Sequence, residues 1–348
     1  MMGNKMWFMR AGLVGLTWFL ASAVAQGAEP PDRQWGTLME NVRWTIDSSV
    51  SMSHGTDDDD QDYEGFVGLD FLKVISTNTR DIGSFIAQLY LMRIQDREKP
   101  RPGFYDSDDD WAFLPRNVYF DYTGLSRGQF NLRVGHIMPP FGLRYVSNTT
   151  GTLRQLITGP NLGLKIDYGM STHGRIPWGS YHISFTRGSG VEYKSDGDPY
   201  AVSGRMATPS HKQLMVGVSG FKAEMLTPKG ILKRTRVGFD LRTYYGPVDY
   251  MMEVSFGHDQ EETKVLNGFG EFSWSPGIGA LLVYTQGRYF SVKPDDADEY
   301  ISRTFATLGL RYQLPYGFTA AANYEHPLDL PEDMTVSPQL RFQIRHRL

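Results

Sequence analysis

Most of the chain consists of short segments in which apolar and polar residues alternate. In Phe130–Gly135, for example, the first, third and fifth residues are apolar and the others are polar residues or glycine. Successive side chains of a β-strand point to opposite faces, so this pattern predicts strands with one apolar face. In a long antiparallel series, such strands are typical of a transmembrane β-barrel that has an apolar outer surface and a wet lumen.

The connections between the predicted strands alternate in length. Tight turns recur along the chain, and longer polar segments fall between them. Outer-membrane barrels show this asymmetry, with short turns on the periplasmic side and long loops on the extracellular side. The predicted tight turns are Leu125–Gly128, Pro209–Lys212, Tyr244–Pro247, Ser275–Gly277 and Leu314–Gly317.

The alternation predicts about 16 strands, and counts of 14 and 18 stay open. An even count places both chain ends in the periplasm, as in bacterial single-chain barrels. The fourth predicted strand covers Asn117–Thr123, the fifth Gln129–Met138 and the sixth Gly163–Met170. The predicted fold class is therefore all-β, a transmembrane antiparallel β-barrel with short periplasmic turns and long extracellular loops.

The beginning of the chain predicts a cleaved secretory signal. Lys5 and Arg10 precede an apolar run that ends in the small residues Ala-Val-Ala, as a signal peptidase requires. We expect cleavage near Gln26, so that residues 1–25 form the signal and residues 26–348 form the barrel. An N-terminal membrane anchor is the alternative, but the run is shorter than the roughly 20 apolar residues that a membrane span needs.

Charge and cysteine content exclude several classes of function. The formal net charge is -4, and it becomes -6 when Lys5 and Arg10 leave with the signal, which argues against nucleic acid as a partner. The absence of cysteine excludes disulfides, thiolate metal sites and cysteine nucleophiles. The eight histidines are scattered singly, without a metalloprotease or Gly-x-Ser-x-Gly motif. We therefore expect no cofactor, no metal site and no enzymatic activity.

Alternate positions along each predicted strand belong to two different faces of the barrel, one outward and one inward. Phe239, Phe256 and Phe342 are among the positions predicted to face lipid, and their alternates carry charge. An Arg or Lys facing lipid at the membrane midplane would cost roughly 2–4 kcal/mol, so the charges should point inward. The inward cations are Arg133, Lys165, Arg205, Arg234, Arg236, Arg242, Arg288, Arg303, Arg311, Arg341 and Arg345, and the inward acids are Asp70, Asp121, Asp167, Asp240, Glu253, Glu271 and Glu325.

The longest informative connection is Pro139–Pro160, which follows the fifth predicted strand. In 16-stranded barrels the loop at this position commonly folds into the lumen, and a barrel of this width is an open pore unless something fills it. Arg144 and Arg154 lie on either side of the polar stretch Ser147–Thr150. Guanidinium groups at a constriction would favour anions. The alternative is that both arginines contact carboxylates of the barrel strands and only hold the loop in position.

The same region resembles a known family. The segment Leu132–Arg144 contains Arg-Val-Gly followed by Pro-Phe-Gly, and a polar segment with Arg154 comes next. This run resembles the phosphate-selective porin O and P family of outer-membrane channels. The resemblance implies a 16-stranded, anion-transporting barrel that assembles as a homotrimer. The chain is short for that family, lacks a lysine-rich inward loop and ends in Leu348, so other porins for small solutes stay open.

Clusters of acidic residues mark three of the predicted extracellular loops. As solvated charges they would keep the loops soluble. The alternative is that they bind Ca²⁺ or Mg²⁺ together with the phosphates of lipopolysaccharide. The clusters are Asp57–Asp60, Asp106 with Asp108–Asp110, and Asp295, Asp296 and Asp298 with Glu299.

These features predict an outer-membrane porin, a channel through which small hydrophilic solutes or inorganic anions diffuse passively, with a modest anion preference. Outer-membrane lipid and lipopolysaccharide would surround it. Two alternatives stay open: a barrel that serves as a sleeve or scaffold for a periplasmic partner such as an electron carrier, and an outer-membrane hydrolase. The candidate pore-lining residues are Arg133, Arg144, Arg154, Arg234, Arg236, Arg242, Arg303, Arg311 and Arg341.

Overall fold

The computed structural model describes residues 42–56, 61–77, 80–94, 111–126, 128–191, 197–209, 211–227, 230–260, 263–277, 280–294, 299–332 and 334–348. Arg43–Leu348 forms one compact unit. The predicted signal at residues 1–25 and the acidic clusters lie outside the described residues, with the exception of Glu299.

Sixteen strands build this unit in the described part of the chain. They are β1 Val42–Gly55, β2 Gln61–Ser76, β3 Asp81–Ile94, β4 Trp111–Tyr122, β5 Asn131–Ile137, β6 Asp167–Ile176, β7 Gly179–Thr186, β8 Tyr200–Ala207, β9 Leu214–Thr227, β10 Gly230–Tyr245, β11 Val248–Asp259, β12 Thr263–Trp274, β13 Leu281–Lys293, β14 Ile301–Gln313, β15 Phe318–Asp329 and β16 Gln339–Arg347. A 3-10 turn at Gly142–Tyr145 and helix α1 at Thr158–Leu162 lie between β5 and β6. Over the residues described, no helix has the length and apolar character to span a membrane.

The sheet closes on itself. Each strand pairs antiparallel with its neighbour in sequence, and β1 pairs with β16. At this seam Val50 lies opposite Ile344 in the register. Closure gives every strand two hydrogen-bonded neighbours, which removes the unpaired edges of an open sheet. The predicted closed antiparallel barrel of 16 strands is confirmed.

The alternation of residue types separates the outer surface from the lumen. In β9, exposed Leu214, Val216 and Val218 alternate with buried Met215 and Gly217. Because the same parity continues around the barrel, apolar side chains cover the outside and the polar side chains are enclosed. Exposed apolar positions on the other strands include Phe239, Met252, Phe256, Phe342 and Ile344, as predicted.

The starts of β4 and β6 both differ from the predicted positions. β4 begins at Trp111 rather than Asn117, because Pro115 is accommodated where the pairing with β3 is irregular instead of ending the strand. β6 begins at Asp167 rather than Gly163. Gly163 has a φ of 73° and forms the left-handed cap of α1, so it belongs to the preceding loop.

The connections alternate in length only in part. All five predicted tight turns join consecutive strands at the end of the barrel that holds both chain ends. At the opposite end two connections are equally short, because only residues 228–229 separate β9 from β10 and residues 260–262 separate β11 from β12. The Thr227 hydroxyl donates to the Gly230 carbonyl at 2.8 Å across the first of these. The other connections at this end are longer, as predicted, and the longest in the described part of the chain joins β5 to β6.

Candidate functional site in the barrel lumen

The connection between β5 and β6 lies inside the barrel. It contains Phe141, Leu143 and Ile157, which are fully buried although no strand includes them. They contact side chains that point inward from the wall. The predicted insertion of this loop into the lumen is confirmed, and we call residues 138–166 the inserted loop.

Backbone groups of the 3-10 turn fix the start of the inserted loop. The Gly142 N–H donates to Ser219 Oγ at 3.0 Å, and the Leu143 N–H donates to Glu253 Oε2 at 2.8 Å. Gly142 adopts a φ of 56°, and a Cβ at this position would collide with the Glu253 carboxylate. Glycine is therefore required here both for its backbone conformation and for the close approach to β11.

Two apolar clusters hold the inserted loop against the wall. Phe141 packs over Gly238 in β10, where a Cβ would collide with the phenyl ring. Removing these side chains from water stabilises the inserted position, because burial contributes about 25 cal/mol per Å² of apolar surface. The first cluster contains Phe141, Leu162, Leu164, Ala201, Phe221, Ala223 and Met225, and the second contains Leu143, Ile157, Met251 and Phe269.

Asn161 of α1 forms the polar centre of this contact. Its amide nitrogen donates to Ser255 Oγ at 2.7 Å, and its amide oxygen accepts from Asn267 at 2.9 Å and from Arg236 Nε at 3.2 Å. Asn161 is buried, so these bonds replace the water that its side chain loses on folding. They attach α1 to β10, β11 and β12.

The middle of the inserted loop contacts the opposite part of the wall. The Thr150 carbonyl accepts from Arg345 at 3.2 Å, and the Leu153 carbonyl accepts from Asn323 at 3.1 Å. Arg345 belongs to β16 and Asn323 to β15. The loop therefore crosses the lumen from β10 to β16 and narrows it.

Six of the nine predicted pore-lining arginines form ion pairs. An arginine beside a carboxylate contributes little net charge to the lumen, because the two fields offset each other. Arg154 pairs with Glu271, which matches the alternative that this arginine pins the loop. The remaining pairs are Arg133 with Asp121 at 2.7 Å, Arg234 and Arg236 with Asp259 at 2.7 and 2.8 Å, Arg242 with Asp249 at 2.8 Å, and Arg341 with Glu325 at 3.7 Å.

Arg234 and Arg236 hold the end of the inserted loop. Arg234 donates to the carbonyls of Pro160 and Asn161 at 3.5 and 3.3 Å. Arg236 is only 2% exposed and donates to the Asn161 side chain. The prediction that Arg236 lines water is wrong, because the loop covers its guanidinium group.

Arg144, Arg303 and Arg311 have no carboxylate at ion-pair distance among the residues described. The Arg303 guanidinium lies 5.8 Å from the centre of the Phe290 ring. Arg311 borders a cavity of about 310 Å³ together with Arg154. These three residues are the predicted site arginines whose charge is not offset by an adjacent acid.

Arg144 belongs to a group of three cations that we call the cationic cluster: Arg116 of β4, Arg144 and Lys165. The Arg116 guanidinium lies 4.3 Å from the centre of the Tyr90 ring. Burial lowers the pKa of Arg144, and the charge of Arg116 lowers it further. The pKa of Lys165 is lowered by desolvation inside the barrel and by the two arginines, and only Glu64 acts in the opposite direction. The three cations therefore raise the electrostatic potential at one another.

Sequence reasoning misses this cluster for a local reason. Arg116 precedes Asn117, the predicted start of the fourth strand, so the prediction assigns it to a loop. Lys165 is predicted to point inward from a strand, whereas it lies two residues before β6. Strict alternation from the inward residue Asp121 would place Arg116 on the outer face, and only the irregular pairing of β4 with β3 brings it into the lumen.

A second cavity, of about 860 Å³, opens between the inserted loop and the short turns. The loop residue Val146 forms part of its boundary. Its polar lining mixes uncharged groups, such as Gln129 and Asn131, with four arginines. Arg133, Arg205 and Arg242 are each paired with an aspartate, so their charges are largely offset.

Comparisons with known proteins place this geometry in a fold group. No protein-family model and no curated protein matches the chain. The daunomycin complex of OmpF from Salmonella typhi has a TM-score of 0.66 at 10% identity and covers 88% of this chain and 97% of that one. An anion-selective porin from Comamonas acidovorans has a TM-score of 0.62 at 13% identity and covers 88% and 99%. A trimer form of OmpT, an outer membrane protein of Vibrio cholerae, has a TM-score of 0.65 at 9% identity and covers 88% and 99%.

At these identities the likeness establishes the fold. The chain has the fold of the 16-stranded outer-membrane porins, and the match extends over nearly their whole length. The narrower resemblance to the phosphate-selective porin O and P family stays a prediction, since no family model matches.

Proposed function

We propose that this protein is an outer-membrane porin that lets small hydrophilic solutes diffuse through its lumen and that prefers anions. The observation that carries the preference is the cationic cluster beside the inserted loop. Its three side chains lack an ion-paired carboxylate in the described part of the chain, unlike most of the predicted site arginines.

The outer surface supports the membrane location. Val50, Phe239, Leu308 and Ile344 are more than half exposed and point away from the lumen. A closed sheet is the β structure that satisfies its backbone groups in lipid. An apolar outer face on such a sheet would be unfavourable in water and is favourable in a bilayer.

The anion preference follows from fixed charge in a narrow, low-dielectric passage. Unpaired cations raise the local concentration of anions, and rings of Arg or Lys do so in anion-conducting pores. Because many other lumen charges are paired, we expect a modest preference for small inorganic or organic anions. The structural neighbour from Comamonas acidovorans is an anion-selective porin, which supports the same preference here.

Planar-bilayer recordings in a KCl gradient test this function. The unmodified protein should conduct, and the sign of its reversal potential should be that of a channel more permeable to Cl⁻ than to K⁺. Arg144→Gln and Lys165→Gln should each move the reversal potential toward cations, and the two changes together should move it further. Lys264→Gln is the matched control, because it removes the same charge from the outer surface of β12. A cation preference in the unmodified protein, or equal shifts from Lys264→Gln, would contradict the proposal.

The two alternatives find less support. A sleeve for a periplasmic partner needs an empty lumen, but residues of the inserted loop are buried against the wall on both sides. A hydrolase is not favoured by the structural neighbours, which include several porins. If the purified protein bound a periplasmic partner but gave no conductance in planar bilayers, the sleeve would be favoured.

Assembly as a homotrimer remains part of the proposal. The OmpT structure that resembles this chain is a trimer form, which supports it. Sedimentation of the detergent-solubilised protein, corrected for bound detergent, would give the number of chains. A monomer in mild detergent and in lipid nanodiscs would refute the trimer.

A further inference from the structure

Tyr90 of β3 contacts both a cation and two acids of the lumen. Its side chain is only 1% exposed. The Arg116 guanidinium, a member of the cationic cluster, lies 4.3 Å from the centre of the Tyr90 ring. The hydroxyl at the far end of the same side chain lies 3.1 Å from Asp47 Oδ2 and 3.0 Å from Asp70 Oδ1. The arginine therefore lies on the ring, and the carboxylates lie at its hydroxyl.

The barrel wall fixes the position of this ring. Gly68 of β2 lies directly opposite Tyr90 in the register, and a Cβ on Gly68 would collide with the ring. Leu114 of β4 lies opposite Tyr90 on the other side. Tyr90 and Leu114 pack in one apolar cluster with Phe66. These contacts leave the ring little freedom to move away from Arg116.

The two acids form ion pairs with other arginines. Asp47 accepts from Arg345 Nε at 2.7 Å, and Asp70 lies 2.7 Å from Arg347. Arg116 forms no ion pair with the residues described, although Asp47 is close enough for its charge to act on Arg116. The acids are therefore near Arg116 without being in contact with it.

A guanidinium group that stacks on an aromatic face keeps its charge. The attraction comes from the quadrupole of the ring, so it holds the cation without adding an opposite charge. A carboxylate at ion-pair distance would instead offset the field of the guanidinium group. The contact with Tyr90 thus positions Arg116 and leaves its charge available to a passing anion.

We propose that Tyr90 is a specificity-determining residue of the channel, because its ring keeps Arg116 from pairing with Asp47 and Asp70 and so preserves the charge of the cationic cluster. The inference rests on the anion preference in the proposed function. Without the ring, the flexible arginine side chain would be able to reach the two carboxylates. These carboxylates would also have lost the hydroxyl that donates to them, and a buried acceptor without its donor favours a new partner.

Reversal potentials in a KCl gradient, measured with the full-length mature protein in planar bilayers, test this role. Tyr90→Leu removes the ring and should shift the reversal potential toward cations by as much as Arg116→Gln does. Tyr90→Phe keeps the ring but loses the hydroxyl, so it should keep the anion preference even where its unfolding midpoint in guanidinium falls. A purely structural role would make selectivity change in step with stability in both variants. Loss of the anion preference in Tyr90→Phe would overturn the proposal.

A double variant shows whether the ring acts through Arg116. In Y90L/R116Q no guanidinium group remains for the carboxylates to bind, so the reversal potential should equal that of Arg116→Gln alone. A further shift in the double variant would mean that the ring acts by another route, which would also overturn the proposal. If Tyr90→Leu gives no heat-modifiable folded band on gels, Tyr90→Met takes its place in both comparisons, because the flexible methionine side chain fills irregular gaps.

Tyr119 of β4 provides the matched control. The Arg133 guanidinium lies 4.3 Å from the centre of the Tyr119 ring, but Arg133 is already paired with Asp121 at 2.7 Å. Tyr119→Leu should therefore leave the reversal potential unchanged. Equal shifts from Tyr119→Leu and Tyr90→Leu, or no shift from Tyr90→Leu in an anion-selective channel, would refute the role of Tyr90 and leave the proposed function standing. A cation preference in the unmodified protein would refute both.

Discussion

Arg144 and Arg154 lie in the same inserted loop, yet their surroundings give them different roles. The Arg154 guanidinium pairs with Glu271, whose side chain is fully buried. Arg144 has only cationic neighbours in its electrostatic surroundings, Arg116 and Lys165. A paired charge holds the loop in place, and an unpaired charge in the lumen would attract anions, as the proposed function requires.

Removing the paired arginine should destabilise the barrel. Arg154→Ala leaves the Glu271 carboxylate buried without its charged partner, although it still accepts from Gln286 at 2.7 Å. We expect the free energy of unfolding to fall by about 3–5 kcal/mol, the usual cost of breaking a buried pair from one side. Guanidinium unfolding in lipid vesicles measures this. The double variant R154A/E271Q should recover most of the loss, and equal stability of the two variants would contradict the explanation.

The unpaired lysine should make selectivity depend on pH. Lys165 has a pKa below the ordinary lysine value, because desolvation inside the barrel and two arginines disfavour its charged form. Its charge is present at lower pH and is lost as pH rises through that lowered pKa, so anion preference should decline at a pH where an ordinary lysine is still charged. Reversal potentials measured as a function of pH test the decline.

Lys165→Arg provides the control for this pH effect. Arginine keeps its charge to higher pH than lysine, so the variant should retain its anion preference where the unmodified channel loses it. An identical pH profile for the two proteins would assign the titration to another group.

At the scale of elements, the inserted loop behaves as a part of the barrel core. Phe141 and Leu143 supply apolar contacts, Asn161 supplies hydrogen bonds, and Arg154 supplies an ion pair. These contacts reach strands on both sides of the lumen. A closed sheet of 16 strands encloses more space than its own side chains fill, and the loop occupies part of the remainder.

Loosening the loop should widen the channel. Phe141→Ala removes the ring that packs over Gly238, which should cost about 3–5 kcal/mol and allow the loop to leave the wall. We expect higher and noisier single-channel conductance in planar bilayers. Phe239→Ala is the matched control, because Phe239 is the next residue to Gly238 but points outward. An unchanged conductance for Phe141→Ala would show that the loop does not limit flow.

At the scale of the whole molecule, the seam between β1 and β16 determines whether the sheet can close. Asp47 of β1 is fully buried and accepts from Arg345 Nε at 2.7 Å and from the Tyr90 hydroxyl at 3.1 Å. Arg345 also donates to the Thr150 carbonyl. One arginine thus joins the first strand, the last strand and the inserted loop, which are far apart in sequence.

Two arginines of β16 provide a matched pair for testing the seam. Arg345→Gln should lower the free energy of unfolding by about 3–5 kcal/mol, because it leaves the buried Asp47 without its charged partner. Arg347→Gln breaks a pair with Asp70 in which the arginine side chain is 50% exposed, so it should cost less than about 1 kcal/mol. Equal losses in guanidinium unfolding would contradict the dependence on burial.

The residue pattern by itself determined the antiparallel barrel and the outward position of residues such as Phe239, and the place of the Pro139–Pro160 loop after the fifth strand indicated its insertion. The alternation of apolar and polar residues determines the two faces of each strand without help from other strands. A sheet with one apolar face must close on itself to enter lipid. Only the tertiary structure decided which arginines are paired. Arg144 and Arg154 are alike in sequence, but their partners come from distant strands. The cationic cluster likewise depends on the tertiary structure, because the inserted loop brings Arg144 and Lys165 close to Arg116 of β4, which local alternation cannot relate to them.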